Sequence, residues 1–190
     1  MVENQKHLPE QRKVELVPHD PAWLSMAERE SERILNRLPL DVVGIYHIGS
    51  TSIPGIKAKP ILDFVLEVHD MQELLHYTEA LRELGYIRKG ERGIPGRQFF
   101  TKDTDGSRSH HLHVFETGHP DITRHLAFRD YLRSNPDAAR EYERLKEKLA
   151  KKFPQKSGDY TEAKSDFILT MDEAAREWYD HHRQETADQA

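Results

Sequence analysis

A glycine followed by three hydroxyl side chains is the first pattern in the sequence that can do chemistry. Residues 49–52 read Gly-Ser-Thr-Ser and follow an apolar, β-branched segment, residues 41–49. A glycine turn of this kind can present backbone N–H groups and hydroxyl donors to a phosphate oxygen. An ordinary turn capped by serine side chains is the alternative. The pattern is not a P-loop, because the Gly-x-x-x-x-Gly-Lys-Ser/Thr spacing is absent.

A carboxylate inside an apolar segment is the second pattern. Asp63 lies within residues 60–68, which are otherwise apolar except for Glu67. Side chains alternate along a strand, so Asp63 and Glu67 share one face about 13 Å apart. They cannot easily share a pair of metal ions, which lie only about 4 Å apart. A charge in a half-buried strand needs a partner, so Asp63 is either a functional group or the ion-pair partner of Lys57 or Lys59.

Three histidines within four positions, His110, His111 and His113, are the third pattern. On a strand, His111 and His113 point to the same face, about 6.6 Å apart along the chain. They can act as acid and base near neutral pH, donate hydrogen bonds to an anionic substrate, or bind a metal ion together with a third ligand. Imidazole rings on a hydrated sheet surface are the alternative.

Two further pairs of residues lie at helical spacing in the second half of the chain. Arg129 and Arg133 are one turn apart beside Asp130, a pattern typical of a surface salt-bridge face. Tyr160 and Lys164 place a phenol and an ammonium group on one face of the last predicted helix. Their chemical interest depends on whether that helix faces the sheet.

The spacing of apolar residues predicts the elements that must position these groups. Helical spacing covers residues 21–38, 71–84, 121–134, 136–153 and 159–185. Strands are predicted at residues 41–49, 60–68, 85–90, 97–103 and 109–117, with the last two joined as a hairpin at Asp105-Gly106. Strands followed by a run of helices predict an α+β fold, with a mixed β-sheet of about five strands, helices packed on it and a helical C-terminal third.

Composition limits the functional classes. The chain has 190 residues, of which 36% are hydrophobic and 32% charged, and it contains no cysteine. We expect one domain over residues 1–190, with flexible tails at residues 1–13 and 183–190. No segment approaches the roughly 20 apolar residues of a membrane span, so we expect a cytoplasmic protein without a membrane partner. The net charge of −5 disfavours a nucleic-acid partner, and any functional positive charge must be local.

Several phrases, in order along the chain, resemble the GrpB family, a set of small bacterial proteins grouped with the nucleotidyltransferase superfamily of the polymerase-beta type. They are VPHDPAW (residues 17–23), HIGSTSIPG (47–55), AKPILD (58–63), HLHV (111–114), FRDYL (128–132) and YERLK (142–146). The resemblance covers residues 14–168, which is nearly the whole chain, and it implies a nucleotidyltransferase-like fold.

The resemblance also implies a site. In that superfamily a Gly-Ser turn after a strand positions nucleotide phosphates, and carboxylates on neighbouring strands bind magnesium for in-line phosphoryl transfer. Gly49 and Ser50 match the turn, and Asp63 matches the first carboxylate. The position of the second carboxylate is Val65, and the strand expected to carry the third offers histidines instead. One aspartate does not make a two-magnesium site, whereas imidazole ligands would favour zinc or another transition ion.

We therefore predict a cleft that binds a nucleotide or another phosphorylated small molecule. The groups expected to bind this substrate are Gly49, Ser50, Thr51, Lys59 and Arg97, together with Lys146 and Lys164 from the helical side. The groups expected as acid–base catalysts, or as ligands of a single divalent metal ion, are Asp63, His111 and His113. The chain would then bind or transfer a nucleotidyl or phosphoryl group. The alternative is a non-catalytic nucleotide- or phosphate-binding module that has lost the second metal-binding carboxylate.

Overall fold

The structure, a computed structural model, describes residues 12–38 and 42–187, with side chains up to residue 182. The expected flexible tails, residues 1–13 and 183–190, lie outside these described residues, apart from residues 12–13 and the helical backbone of residues 183–187. No helix in the described part of the chain is both long enough and apolar enough to cross a lipid bilayer.

Five strands form one sheet in the order β1-β2-β5-β4-β3. They are β1 (Val42–Ile48), β2 (Leu62–Val68), β3 (Tyr86–Arg88), β4 (Gln98–Thr104) and β5 (Ser107–Glu116). The central pair, β2 and β5, is parallel, and the other neighbouring strands are antiparallel. The predicted mixed sheet of five strands is therefore confirmed.

Seven helices accompany the sheet in the described residues, and most of them follow it in the chain. They are α1 (Ala22–Leu35), α2 (Met71–His76), α3 (Thr78–Glu83), α4 (Pro120–Ser134), α5 (Pro136–Lys152), α6 (Ser157–Glu162) and α7 (Ser165–Ala187). The α+β class and the helical C-terminal third are confirmed.

Local side-chain chemistry sets several element boundaries. The carboxylate of Asp70 accepts hydrogen bonds from the backbone N–H groups of Gln72 and Glu73, and so caps α2. Between β4 and β5, Asp105 and Gly106 both have positive φ, 51° and 73°. Two consecutive positive φ values are typical of a two-residue hairpin turn, as the Asp-Gly sequence predicts.

Two predicted helices are each divided in the structure. The helix expected over residues 71–84 is broken at Tyr77, where the Thr78 hydroxyl donates to the carbonyl of Leu75. Such side-chain bonding competes with the helical ladder. The helix expected over residues 159–185 is broken at Lys164, whose N–H donates to Thr161 in a tighter i−3 turn.

The alternation of β2 separates the two faces of the sheet. Leu62, Phe64 and Leu66 are buried in the largest core cluster, which also contains side chains of α1, α2 and α3. Val65 packs on the opposite face, in a cluster that includes Ile122 of α4. Asp63 shares the face of Val65, so its carboxylate lies on the side of the sheet where α4 packs.

Candidate functional site

The turn after β1 is built around Gly49. Its φ of 71° and ψ of −173° belong to a backbone region that is almost restricted to glycine. A Cβ atom on Gly49 would also clash with Oδ2 of Asp63, because the carboxylate occupies the space beside the glycine. The Ser52 side chain donates to the Gly49 carbonyl at 2.7 Å and closes the 3₁₀ turn Ser50–Ser52. The turn and the carboxylate are therefore in direct contact.

Asp63 and His111 are opposite each other in the parallel register of β2 and β5. The distance between Oδ1 of Asp63 and Nδ1 of His111 is 2.7 Å. Arg108 lies 3.3 Å from Nε2 of His111, and a guanidinium group can only donate. Nε2 therefore accepts, and the ring proton sits on Nδ1 and is donated to Asp63.

The charge state of Asp63 follows from these neighbours. Burial alone would raise the pKa of the Asp63 carboxyl. The hydrogen bond from His111, together with the positive charge of Lys59, outweighs burial and lowers the pKa below its usual value. Asp63 is therefore a carboxylate at neutral pH, held at the floor of the site with its side chain one-quarter exposed.

His113 and Arg97 form a second contact on the same face. Arg97 donates to Nδ1 of His113 at 3.2 Å, and it also donates to the backbone carbonyls of Glu91 and Arg92. Burial lowers the pKa of His113 to about 3, so its imidazole ring is neutral at neutral pH. Arg97 therefore ties the loop that precedes β4 to β5, and most of its donors are already used within the protein.

Three lysine side chains meet two tyrosine rings on the helical side of the site. Nζ of Lys164 lies 4.7 Å from the ring centroid of Tyr160, and Nζ of Lys59 lies 5.1 Å from the same centroid. Nζ of Lys146 lies 4.7 Å from the ring centroid of Tyr142. The Ser50 hydroxyl, 3.4 Å from the Tyr142 hydroxyl, links these lysines to the glycine turn.

These groups line one cavity of about 1020 Å³. It lies between the N-terminal parts of β2 and β5, the turn after β1, and the segments that carry α4 to α7. Among the described residues that line it, nine are basic: Arg12, Lys13, Lys59, Arg92, Arg97, Arg108, Arg124, Lys146 and Lys164. Three are acidic: Glu15, Asp63 and Glu162. Basic side chains thus outnumber acidic ones threefold in the lining, although the chain as a whole has a net charge of −5.

The side chains in the cavity do not fit the two-magnesium site implied by the resemblance. Val65, at the position of the second carboxylate, is fully buried on the sheet. His111 and His113 each accept a hydrogen bond from an arginine, so those ring nitrogens are not turned to a common ion. No group of three histidine, aspartate or glutamate side chains in the described part of the chain is arranged to hold a metal ion. The basic and hydroxyl side chains that line the cavity are hydrogen-bond donors, and they favour an anion over a metal ion.

Most of the predicted site residues come together in this cavity, and some do not. Gly49, Ser50, Lys59, Asp63, Arg97, His111, His113, Lys146 and Lys164 all line it. Thr51 does not, because its buried hydroxyl donates to the carbonyl of Ile61. The alternative ion pair between Lys57 and Asp63 is not formed, since Lys57 pairs with Glu147 at 2.5 Å.

Other polar groups of the cavity were not singled out by the sequence patterns. Tyr142, Arg108, Arg124 and His125 also line the cavity. The arginine pair of α4 is not only a surface face: Arg129 donates to the carbonyl of His47, and Arg133 donates to that of Ser52. These contacts fix the turn after β1 from the helical side, and only the packing of α4 on β1 reveals them.

Comparisons with known proteins agree with the sequence phrases. A Bacillus subtilis protein, UPF0157 protein YqkA, is 41% identical over 172 residues, which are 90% of this chain and 50% of that protein. This chain thus spans about half the length of that relative. The crystal structure of conserved protein GrpB from Enterococcus faecalis has a TM-score of 0.82 at 34% identity, covering 87% of this chain and 99% of that one.

A more distant likeness, of fold alone, links 68% of this chain to 42% of the Cid1 poly(U) polymerase, with a TM-score of 0.48 and 15% identity. The family match is far more extensive. Residues 13–174 match the family described as GrpB protein, and this region contains every residue of the cavity except Arg12. The chain therefore belongs to the GrpB family.

Proposed function

We propose that this chain binds a nucleotide or another phosphorylated small molecule in the cavity beside Asp63 and His111. One observation carries the proposal: nine basic residues and only three acidic ones line the cavity of a chain whose net charge is −5. Basic side chains gathered around a concave surface attract an anionic ligand and raise its local concentration. The residues outside the cavity carry the excess of negative charge in the chain, so on average they attract that ligand less.

The neutral groups of the cavity also suit such a ligand. Its volume of about 1020 Å³ is enough to enclose a whole nucleotide, since ligand pockets span about 300–1,000 Å³. The hydroxyls of Ser50 and Tyr142 provide neutral donors for phosphate oxygens. The rings of Phe99, Phe128 and Tyr160 provide apolar surface for a base or a sugar.

The distribution of charge favours a small molecule over a nucleic-acid chain. Proteins that bind a nucleic-acid backbone carry a basic stripe along their surface and bind with strong salt dependence. In this chain the basic residues converge on one concavity, and the net charge is negative.

The test is calorimetric titration with inorganic phosphate, pyrophosphate, and the mono-, di- and triphosphates of the four ribonucleosides. We expect saturable binding of one ligand per chain, and a rise in the free energy of unfolding of about 2.7 kcal/mol at one hundred times Kd. Ser50→Ala should weaken binding about tenfold, because it removes a hydrogen bond to a charged group. Ser25→Ala, on the exposed face of α1, is the matched control and should leave the binding affinity unchanged.

Two results would contradict the proposal. One is the absence of binding by every member of the panel at millimolar concentration. The other is tighter binding of single-stranded oligonucleotides than of mononucleotides at the same ionic strength.

Group transfer is a second candidate function, favoured by the 2.7 Å hydrogen bond between Asp63 and His111 beside the Ser50 turn. A carboxylate that holds an imidazole in one tautomer is a common acid–base arrangement. An acceptor hydroxyl would attack the α-phosphorus of a nucleoside triphosphate and form the new P–O bond. Its proton would pass to Nε2 of His111, in place of the contact with Arg108. The bond between the α-phosphorus and the bridging oxygen would break and release pyrophosphate.

Pyrophosphate release separates transfer from binding alone. If the chain transfers a nucleotidyl group, Asp63→Asn abolishes release while circular dichroism shows an unchanged fold. An unchanged turnover of Asp63→Asn would rule out this catalytic role. Saturable binding without any release over hours would instead favour the non-catalytic module.

A further inference from the structure

The ammonium groups of Lys146 and Lys164 stand out among the basic groups of the cavity because neither forms an ion pair with a carboxylate of the described residues. The Lys146 residue is only 1% exposed, and its Nζ donates to the carbonyl of Lys57. Lys164 is partly buried, with Nζ over the ring of Tyr160. A buried ammonium group either has a counter-charge or tends to lose its proton, so an anion in the cavity would stabilise the charged forms of both lysines.

The arginines of the same cavity differ, because protein groups already satisfy them. Arg97 donates to two backbone carbonyls and to His113. Arg124 pairs with Asp121 and Asp172, and Arg108 pairs with Asp103. Their guanidinium groups therefore support the walls of the cavity. The demand for an anion is concentrated on the lysine side.

Lys59 is the third ammonium of that side, and the charge of the Asp63 carboxylate acts on both Lys59 and Lys164. The attraction of Lys59 is among the causes that lower the pKa of the Asp63 carboxyl. When all three lysines are protonated, three ammonium groups face one carboxylate, and the net charge of these four groups is +2. A ligand charge of −2 would neutralise it.

We infer that Lys146 and Lys164 form the subsite for a doubly charged terminal phosphate group, so that the ligand is a phosphate monoester or a polyphosphate and not a phosphodiester. This inference rests on the proposed function and narrows its substrate class. A monoester phosphate carries a charge close to −2 at neutral pH and has three acceptor oxygens, whereas a diester carries −1. The Ser50 and Tyr142 hydroxyls border the same subsite and can donate to the remaining oxygens.

The lowered pKa values of the two lysines are consistent with a subsite for an anion. Burial, and then repulsion by Lys164, lowers the pKa of Lys146 to about 7, although Glu143 and Glu147 of its own helix act in the opposite sense. Burial lowers the pKa of Lys164 to about 8, with Asp63 opposing the shift. A bound dianion would favour both ammonium forms, so that ligand binding near pH 8 takes up protons.

The experiment is calorimetric titration at pH 7.5 and fixed ionic strength with the four nucleoside 5′-monophosphates and with their 5′-methyl phosphodiesters. The native chain should bind the monoester at least tenfold more tightly than its methyl ester. Lys164→Met should weaken monoester binding tenfold or more and reduce the preference for the monoester to less than threefold. Lys148→Met is the matched control, because Lys148 is an exposed lysine of α5 two residues from Lys146, and it should retain the full preference.

The outcomes separate this inference from the proposed function. Equal binding of monoester and diester to the native chain overturns the dianion subsite while nucleotide binding stands. An equal loss of both ligands in Lys164→Met overturns it as well. If neither these nucleotides nor any member of the panel used to test the proposed function binds, the proposed function itself fails. The comparison of monoester and diester binding on the native chain tests the dianion subsite even if Lys164→Met does not fold.

Discussion

The carboxylate of Asp63 occupies the space that a side chain at position 49 would need, so that strand β2 and the turn after β1 touch only because residue 49 is glycine. This contact sets the distance between the predicted anion-binding turn and the Asp63–His111 pair. The positive φ of Gly49 adds a second, independent requirement for glycine at the same position.

Gly49→Ala should therefore destabilise the chain more than a positive φ alone explains. Backbone strain at such a position costs about 1–3 kcal/mol, and the clash with Asp63 should add a further 1–3 kcal/mol or so. The measurement is the free energy of unfolding in urea. Gly55→Ala is the matched control, because Gly55 also has positive φ, 81°, but has no atom within 4 Å of an added Cβ.

A destabilisation of Gly49→Ala no larger than that of Gly55→Ala would show that Asp63 does not press against the turn. In that case the carboxylate would lie elsewhere in solution, and the link between the turn and the Asp63–His111 pair would be lost.

The tautomer of His111 is a second prediction. Arg108 donates to Nε2 and Asp63 accepts from Nδ1, so the neutral ring should carry its proton on Nδ1. Long-range ¹H–¹⁵N NMR spectra of the histidine side chains distinguish the two tautomers. Arg108→Met should leave the proton on Nδ1, because Asp63 still accepts it. A proton on Nε2 in the native chain would mean that the Asp63–His111 hydrogen bond is absent.

Lys146 should make the stability of the unliganded chain depend on pH in a particular sense. Its pKa is about 7 in the folded chain and about 10.5 in an exposed lysine. Between these values the unfolded chain holds the proton and the folded chain does not, so unfolding takes up a proton and the free energy of unfolding rises with pH. The contribution of this one group is about 1 kcal/mol between pH 7 and pH 8.

Chemical unfolding at pH 7 and pH 8 measures this contribution when the native chain is compared with Lys146→Met. The rise in the variant should be smaller by about 1 kcal/mol, and Lys148→Met should keep the full rise, because Lys148 is exposed on the same helix. An identical rise in the native chain and Lys146→Met would show that the Lys146 ammonium is hydrated and not buried in the cavity.

Much of the fold can be predicted from local sequence patterns because local chemistry produces it. The Asp70 cap and the Asp105-Gly106 hairpin turn depend on neighbours within three residues. The alternation of β2 likewise requires only its own sequence, and it places Asp63 and Val65 on the same face. The break of the last helix at Lys164 could not be predicted in this way, because the sequence pattern of residues 159–185 is helical throughout.

The site needs contacts that are distant in the chain. Asp63 meets His111 only because β2 and β5 are parallel neighbours in one register, and strand order is not encoded in either strand alone. Lys146 and Lys148 look alike within an amphipathic helix, yet one is buried and the other exposed. Thr51 and Ser50 are adjacent hydroxyl residues, but the 3₁₀ turn directs only Ser50 to the cavity.

The most direct test of the account is a crystal structure with the nucleotide that binds most tightly in the titrations. The account predicts a phosphate group in the cavity, with oxygens within about 3.2 Å of Nζ of Lys164 and of the Ser50 hydroxyl, and with the Asp63–His111 hydrogen bond beside it. A phosphate bound against Arg97, or outside the cavity altogether, with Lys164 still resting on Tyr160, would contradict it.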